Sequence, residues 1–586
     1  MAYLSALDYI VLALFLGLSA SIGVYHAFRG GRQRTAKEYL LADRKMNPIP
    51  VTMSVVVSVL SSVTFLGTTA DTYIYGPQYW VVLPAKIIPM VIISQSFVPI
   101  FYKLGVTSIY EYIGMRFGRV VRLFGMLINC LYLLLYLGVV IYGPALALNA
   151  VTGLSIAGST IAVGLVCTFY TTIGGIKAVL WADVFQSIIL LAGLILTIVA
   201  CCIHVGGLTE VFRINVRDGR GTFFDFRLDP KIRHSFWSIF IGFGFLIMSY
   251  NGTNQIIVQR YLTCRSLRQS QWVAAVGNFC IGIVEVIAVL TGMSMYAYFA
   301  GCDPLTLGEV QKPDQLIAYI IIDIFNEWPG VSGFLISAVF SATLSTISSG
   351  MNAFATLFGQ DIIKVAYPNM SDFKFTLILK LISVIFGLMT IAMAFLASSL
   401  GGILPLVLSL IGILNGPILG VFSLGIYFPR ANSKGALVGM LAALAIGIWL
   451  KVGSSVYPAV VDKPPLFTDQ CPNANMTLTD QVVYIETEDK DEIDPNLGNI
   501  YALSYAYYTP LTCFITVIVG LLVSLTTHPT DPSSLNPDLV SPIGELFACC
   551  LPKRLRGHMP CSVRENVEVE PPHEQGEVVK MAKLDE

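Results

Sequence analysis

Long apolar runs separated by short polar loops dominate the chain. A membrane-spanning helix needs ~20 mostly apolar residues. That window predicts about 13 spans, at residues 8–28, 48–73, 78–102, 122–149, 154–173, 178–204, 236–258, 271–299, 316–361, 374–398, 401–428, 435–454 and 506–527. The run 316–361 is long enough to hold a lead-in helix before the span proper. The first run, Tyr9 to Phe28, has no basic stretch before it and no small-residue cleavage site after it, so it reads as a span that stays. The pattern describes an all-α polytopic membrane protein. It divides into a first span with its loop (1–47), a helical core (48–430), two last spans around a long loop at 456–505 (431–527), and a polar tail at 528–586 with the composition of a disordered segment.

Composition agrees with lipid as the solvent. Charged residues make up only 12% of the chain, about half the ~25% of a soluble protein, and the mean hydropathy is +0.71. A net charge of -1 argues against a nucleic-acid partner, whose phosphates call for a net basic surface. Lys and Arg set the orientation, because they gather in cytoplasmic loops. Arg29, Arg32, Arg34, Lys37, Arg44 and Lys45 follow the first span; Arg116, Arg119 and Arg122 follow the third; Arg260, Arg265 and Arg268 follow the seventh. These loops share one face by parity, which predicts an outside amino terminus and a cytoplasmic carboxyl tail. One loop, 205–235, breaks the rule with six basic residues on the outer side.

The sequon Asn475-Met476-Thr477 falls in the acidic outer loop and is expected to be glycosylated. Most cysteines lie inside apolar runs, as Cys130, Cys167 and Cys280 do, and fill helix contacts. Cys302 and Cys471 fall in outer loops, where an oxidising medium permits a bridge. Cys549 and Cys550, beside Lys553, Arg554 and Arg556, read as a basic juxtamembrane segment with acylation as the alternative.

Lipid satisfies no backbone N–H or C=O, so a break in a spanning helix persists only where it lines a site. Two spans carry clusters of Gly with hydroxyl or amide side chains. The second has Ser54, Ser58, Ser61, Ser62, Thr64 and Gly67; the seventh has Gly242, Gly244, Ser249, Asn251, Gly252, Thr253, Asn254 and Gln255. They lie five spans apart, as expected for an inverted repeat of five helices that each begin with a broken one. Close helix packing explains either cluster alone; the matched pair favours a site. The densest hydroxyl run is Ser341 to Asn352, with Ser341, Ser345 and Ser348 on one helical face and Thr346 and Ser349 alongside. Neutral oxygens suit a monovalent cation, whereas calcium and magnesium usually require carboxylates. Two intramembrane charges are functional candidates. Asp183, with Gln186 one turn on, can gate, hold a cation or simply bond neighbouring backbone. Lys86 can meet an anion or snorkel to the surface.

At these residues the chain resembles the sodium/solute symporter family, in the branch of the sodium-coupled monocarboxylate, multivitamin and iodide transporters. The matching stretches are Thr107–Tyr112, Val140–Asn149, Gly174-Gly175 through Asp183 to Gln186, Asn254–Tyr261, Cys302–Leu305 and Thr343–Thr346. The resemblance implies a leucine-transporter-like 5+5 inverted-repeat core. It implies a shared sodium site formed by the carbonyls of Val57, Leu60 and Ala342 and the hydroxyls of Ser345 and Thr346. It places a second sodium or the substrate near Ser61, Thr64 and Tyr136, with Gln255 and Asp183 as supporting polar groups; the residues themselves add Lys86 and Asn251 as substrate candidates and Gln186 beside Asp183 in gating or support. Two departures bear on the substrate. Thr64 stands where a relative has Gln in its anion pocket, and Ile247 replaces that pocket's Trp, which argues against iodide. Lys86 stands where relatives carry an uncharged residue, which favours a carboxylate.

The expected function is therefore sodium-coupled import of a small organic anion, a monocarboxylate such as lactate or nicotinate, at the plasma membrane. Biotin, pantothenate or iodide are the alternatives within the class. A non-transporting ligand sensor of the same fold and an ion channel are the alternatives outside it. An enzyme is not expected: the chain has no Ser/His/Asp set, no metal-binding Cys/His spacing and no phosphate loop. No cofactor and no metal besides sodium is implied, and nothing in the sequence sets an oligomeric state.

Overall fold

The computed structural model describes residues 4–28, 36–397, 403–457, 463–471 and 500–541. Asn475, Cys549 and Cys550 lie outside the described residues. The elements that matter below are α1 (Ala6–Phe28), α2 (Pro48–Val59), α3 (Val63–Tyr75), α4 (Pro77–Lys103), α5 (Arg119–Thr152), α6 (Ile156–Val205), α7 (Ser238–Gly252), α8 (Gln255–Tyr261), α9 (Leu267–Tyr298), α10 (Leu316–Phe325), α11 (Val331–Phe358), α12 (Asp372–Ala397), α13 (Ile403–Tyr427), α14 (Ser433–Val456) and α15 (Tyr508–Thr526). Among the described residues nine helices are long and apolar enough to cross a membrane, and the bent pair α2–α3 makes a tenth. Shorter apolar helices at Ala6–Ser19, Ile156–Phe169 and Ser238–Gly252 match the remaining expected runs.

Local chemistry sets the helix starts. Asn47 accepts from the Ile49 amide, and Pro48, whose missing N–H costs nothing in a first turn, opens α2. Ser266 caps α9 and Asn432 caps α14 in the same way. The expected lead-in before the ninth span is α10, separated from α11 by Gly330 in the left-handed region. The fifth and sixth expected spans fall on one run of helical backbone, α6. Its 50 residues would reach ~75 Å if straight, more than twice the hydrocarbon thickness. Its apolar stretches, Ile156–Phe169 and Ile176–Val205, flank the Gly174-Gly175 pair. Small residues let the central helices close: a methyl added at Gly193 of α6 would lie 2.5 Å from Ala338 Cβ of α11.

The loop that breaks the charge rule is paired against itself and its neighbours. Arg213 pairs with Glu210, Arg217 with Asp218, Arg227 with Asp225 and Arg233 with Asp71. Arg220 is buried; it donates to the carbonyls of Tyr73, Pro464 and Pro465 and lies 3.9 Å over the Tyr296 ring. Charges so neutralised put little weight on orientation. The same end of the molecule holds a disulfide between Cys302 and Cys471. Beside it, the Asp303 amide donates to Phe467 O and the Gln470 amide to Gly301 O, both at 2.9 Å.

His234 sits in this cap, with Nε2 2.6 Å from the Tyr505 hydroxyl and Nδ1 3.5 Å from an Asp71 oxygen. Burial is the main cause that holds its imidazole down at about 4; Asp71 opposes the shift and Arg233 adds to it. In the unfolded chain the group titrates near 6.5. Between those values the unfolded state binds the extra proton, so stability falls as pH drops from about 6.5 towards about 4. The melting temperature of purified protein should decline over that window, by the equivalent of up to ~3 kcal/mol. His234→Gln should flatten the decline; identical pH slopes for the two proteins would refute this.

Two expectations are corrected. Arg260, read as a cytoplasmic loop charge, lies on α8 and is buried, with only 2% of its side chain exposed. The tail does not begin as a disordered segment at 528. Residues up to 541 pack on the end opposite the disulfide: the Thr530 amide donates to Arg430 O, the Ser541 amide to Ile426 O, and Tyr112 Oη to Leu539 O. Leu539 is buried there, so apolar burial outweighs the segment's polar composition.

Candidate functional site

The break in the first core span is at Leu60–Ser62, and α2 and α3 meet there at 58°. Leu60 leaves the helical region (φ -80, ψ 79). The Ser61 amide, which a continuous helix would direct to Val57 O, donates to Val59 O at 3.0 Å. The amides of Thr64 and Phe65 both donate to Ser61 O, so Leu60 O also loses its helical donor. Two side-chain bonds stabilise the break: Ser61 Oγ accepts from the Val63 amide, and Ser62 Oγ donates to Val140 O of α5. The seventh expected span breaks at Thr253-Asn254, where Asn254 caps α8 by accepting from the Ile256 amide.

The hydroxyl-rich helix α11 crosses the first break. Thr346 Oγ1 donates to Ala342 O at 3.0 Å and lies 3.4 Å from Ser58 O of α2. Ser345 Oγ donates to Asp183 Oδ1 at 2.6 Å. A hydroxyl that spends its proton on a carboxylate keeps its lone pairs free, so Asp183 sets Ser345 up as an acceptor. Val57, Leu60, Ala342, Ser345 and Thr346 are all buried. Together they offer neutral oxygens from two crossing helices, three of them carbonyls, which is the chemistry a desolvated monovalent cation takes.

Asp183 is also the hub of a second network. Arg260 Nη2 stands 3.1 Å from Asp183 Oδ2, while Arg260 Nε donates to Ser54 Oγ and Nη1 to Ile256 O. Arg260 also bonds Ser349 Oγ, and Ser54 donates to Asp183. Asp183 and Arg260 therefore lock α2, α6, α8 and α11 together directly beside the Ser345 hydroxyl.

On the other side of the break lies a cavity. Ser61, Thr64, Tyr79, Lys86, Tyr136, Tyr250, Asn251 and Glu285 supply its polar lining, and Phe243, Leu246, Ile247, Leu404, Val407 and Ile411 belong to its apolar wall. Tyr136 and Tyr250 meet edge to face, with hydroxyls 3.4 Å apart. Lys86 does not snorkel: it is 3% exposed, and its ammonium is 3.0 Å from Glu285 Oε2 of α9. Asn251 Nδ2 donates to Asn278, while its Oδ1 has no partner among the described residues.

The family model described as Sodium:solute symporter family matches residues 39–443. The chain belongs to this family. The human sodium-coupled monocarboxylate transporter 2 is 37% identical over 95% of this chain and 90% of its own. The human sodium-coupled monocarboxylate transporter 1 is 39% identical over 89% of this chain and 87% of its own. A Na+-coupled sialic acid symporter, solved in a substrate-bound outward-open state, aligns with a TM-score of 0.73 over 90% of this chain and 99% of its own. At 23% identity that likeness establishes the fold, and this symporter has the expected leucine-transporter-like architecture.

Within the symporter, most expected site residues converge. Ser61, Thr64, Lys86, Tyr136 and Asn251 share the cavity. Gln255 does not line it: its Oε1 accepts from the Ile109 amide and its Nε2 donates to Thr107 O, tying α8 to the short helix Ile109–Phe117. Its expected place beside the substrate is therefore corrected to a helix tie. Gln186 is fully buried one turn from Asp183, and neither of its amide atoms has a partner among the described residues. Two residues were missed as site groups. Arg260 stands at a span end, where structural and loop charges look alike in sequence. Glu285 is a lone carboxylate in an apolar run, a signal as plain as Lys86.

Proposed function

We propose that the chain imports a small monocarboxylate, of the kind represented by lactate and nicotinate, together with sodium across the plasma membrane. The observation that carries this reading is the Lys86 ammonium in the cavity that borders the broken helix. The 37% identity to a sodium-coupled monocarboxylate transporter supports it. Sodium enters first and bridges Val57 and Leu60 carbonyls on one helix to Ala342, Ser345 and Thr346 on the other. That bridge fixes the bend between α2 and α3 and so shapes the wall formed by Ser61 and Thr64. The anion then enters against Lys86, Tyr136 and Asn251, the outer side closes, and both leave inward. The membrane potential contributes ~2.3 kcal/mol per net charge per 100 mV, so excess sodium charge concentrates the substrate. In this reading the amino terminus is outside, the tail is cytoplasmic, and Asn475 carries a glycan.

The test is uptake of labelled lactate, nicotinate, biotin, pantothenate and iodide by cells expressing the protein, with sodium present or replaced by choline. Sodium-dependent uptake of lactate or nicotinate is the expected result. Uptake of the vitamins or iodide alone would overturn the substrate class. Ligand-evoked current without uptake would replace the transporter by a sensor. In the same cells Asn475→Gln should abolish a glycosidase-sensitive mobility shift; a shift that survives would place the glycan elsewhere.

A further inference from the structure

A lysine paired with a glutamate is an unusual lining for a pocket that receives an anion, because the pair is already neutral. The structure lays Lys86 along α9. Gly282, one turn before Glu285, leaves the room: a Cβ built there would lie 3.1 Å from Lys86 Cδ. The ammonium ends 3.0 Å from Glu285 Oε2, and both side chains are at least nine-tenths buried. Neither group is spent. An ammonium has three donors and a carboxylate about four acceptor sites. The Lys86 contact is the only polar one that Glu285 makes among the described residues, and Oε2 accepts no aligned hydrogen bond. A simple carboxylate entering here gains Lys86 but meets the Glu285 charge with nothing to offer it. A carboxylate carrying a hydroxyl on the adjacent carbon satisfies both at once: its anion accepts from Lys86 and its hydroxyl donates to Glu285. The Lys86–Glu285 contact stays intact. A zwitterion would have to split the pair to form two full ion pairs of its own.

We propose that Lys86 and Glu285 act together as a specificity filter for small 2-hydroxycarboxylates. Lys86 takes the carboxylate, and Glu285 accepts from the hydroxyl. This inference rests on the monocarboxylate reading above and narrows it: lactate carries the hydroxyl, whereas nicotinate lacks it and should enter less well. A site that makes a hydrogen bond between a charged group and a substrate hydroxyl rejects the analogue that lacks it, because its own buried polar group is then left unpaired.

The experiment compares sodium-dependent uptake of labelled lactate and labelled propionate, which differ only in the hydroxyl. In the wild-type protein the ratio of maximal rate to half-saturation concentration should favour lactate by about tenfold or more. Glu285→Gln, matched for surface level, should reduce that preference to roughly two- to threefold, through loss of the lactate hydroxyl bond and relief of propionate from the Glu285 charge. Lys86→Gln/Glu285→Gln, which removes both charges and leaves none buried alone, should weaken both substrates and abolish the preference. Equal wild-type handling of lactate and propionate would overturn the filter while leaving monocarboxylate transport standing. Sodium-dependent uptake of neither acid, with nicotinate still taken up, would overturn the filter alone; uptake of none of the three would overturn the transport reading with it. A lactate preference that survives unchanged in both variants would move the hydroxyl contact to another residue and overturn the role of Glu285.

Discussion

Replacing Ser345 and Thr346 together by Ala should raise the sodium concentration for half-maximal transport by about tenfold or more, with the protein still at the cell surface. The proposed ion site has five oxygens, and this change removes both hydroxyls while leaving the three carbonyls. A loss near 1.4 kcal/mol is already tenfold in apparent affinity, and hydrogen bonds or ligands of this kind are each worth about 1 kcal/mol net. The fold should survive. Asp183 loses its Ser345 partner but keeps Arg260 and Ser54, and Thr346 gives up a bond to its own helix, Ala342 O. Sodium-activation curves of surface-matched wild type and variant make the measurement. Overlapping curves would remove Ser345 and Thr346 from the ion site.

The largest stability effect should come from Arg260→Met. Arg260 and Asp183 are 2% and 0% exposed at the side chain, so removing the guanidinium leaves a carboxylate in the centre of the bundle with only hydroxyls for company. Breaking a buried pair from one side typically costs about 3–5 kcal/mol. Four helices meet at this pair, so the variant should be retained inside the cell or melt far below the wild type in detergent. Asp183→Asn/Arg260→Met removes both charges and should recover much of the lost melting temperature, because a neutral pair carries no desolvation penalty. A single variant that melts with the wild type would refute the structural role. A double variant that folds but does not transport would assign the pair to the cycle as well.

The Leu60–Ser62 break was legible because lipid makes an unpaired carbonyl costly, so a run of Ser and Thr inside an apolar span marks a place where the backbone can open. The hydroxyl cluster at Ser345 and Thr346 was legible for the same reason, while the proposed share of Val57 and Leu60 in the ion site comes from the family resemblance, since a carbonyl leaves no trace in the identity of its residue. Side-chain direction was not legible. Gln255 and Asn251 are four residues apart in one amide-rich stretch, yet the turn at Thr253-Asn254 sends Asn251 to the cavity and Gln255 to the Ile109 amide. Charge pairing was legible only in part. Lys86 and Glu285 are each visible as charges inside apolar runs, but their pairing is not, because the two lie about two hundred residues apart and nothing local links α4 to α9. The packing of residues 528–541 rests on carbonyls of Ile426 and Arg430, which no composition rule detects.

That packed segment has a mechanical consequence. Ser541 is fastened to Ile426 at the end of α13, and Leu539 to Tyr112, which follows α4. Arg116, one turn on from Tyr112, reaches the carbonyls of Gly425, Phe428 and Pro429. The first five-helix unit is thus bolted to the second at this end by strap and arginine, with Gln255 of α8 as a further tie to the same short helix. Removing residues 528–541 therefore takes away a fastening between the two units, not a free tail.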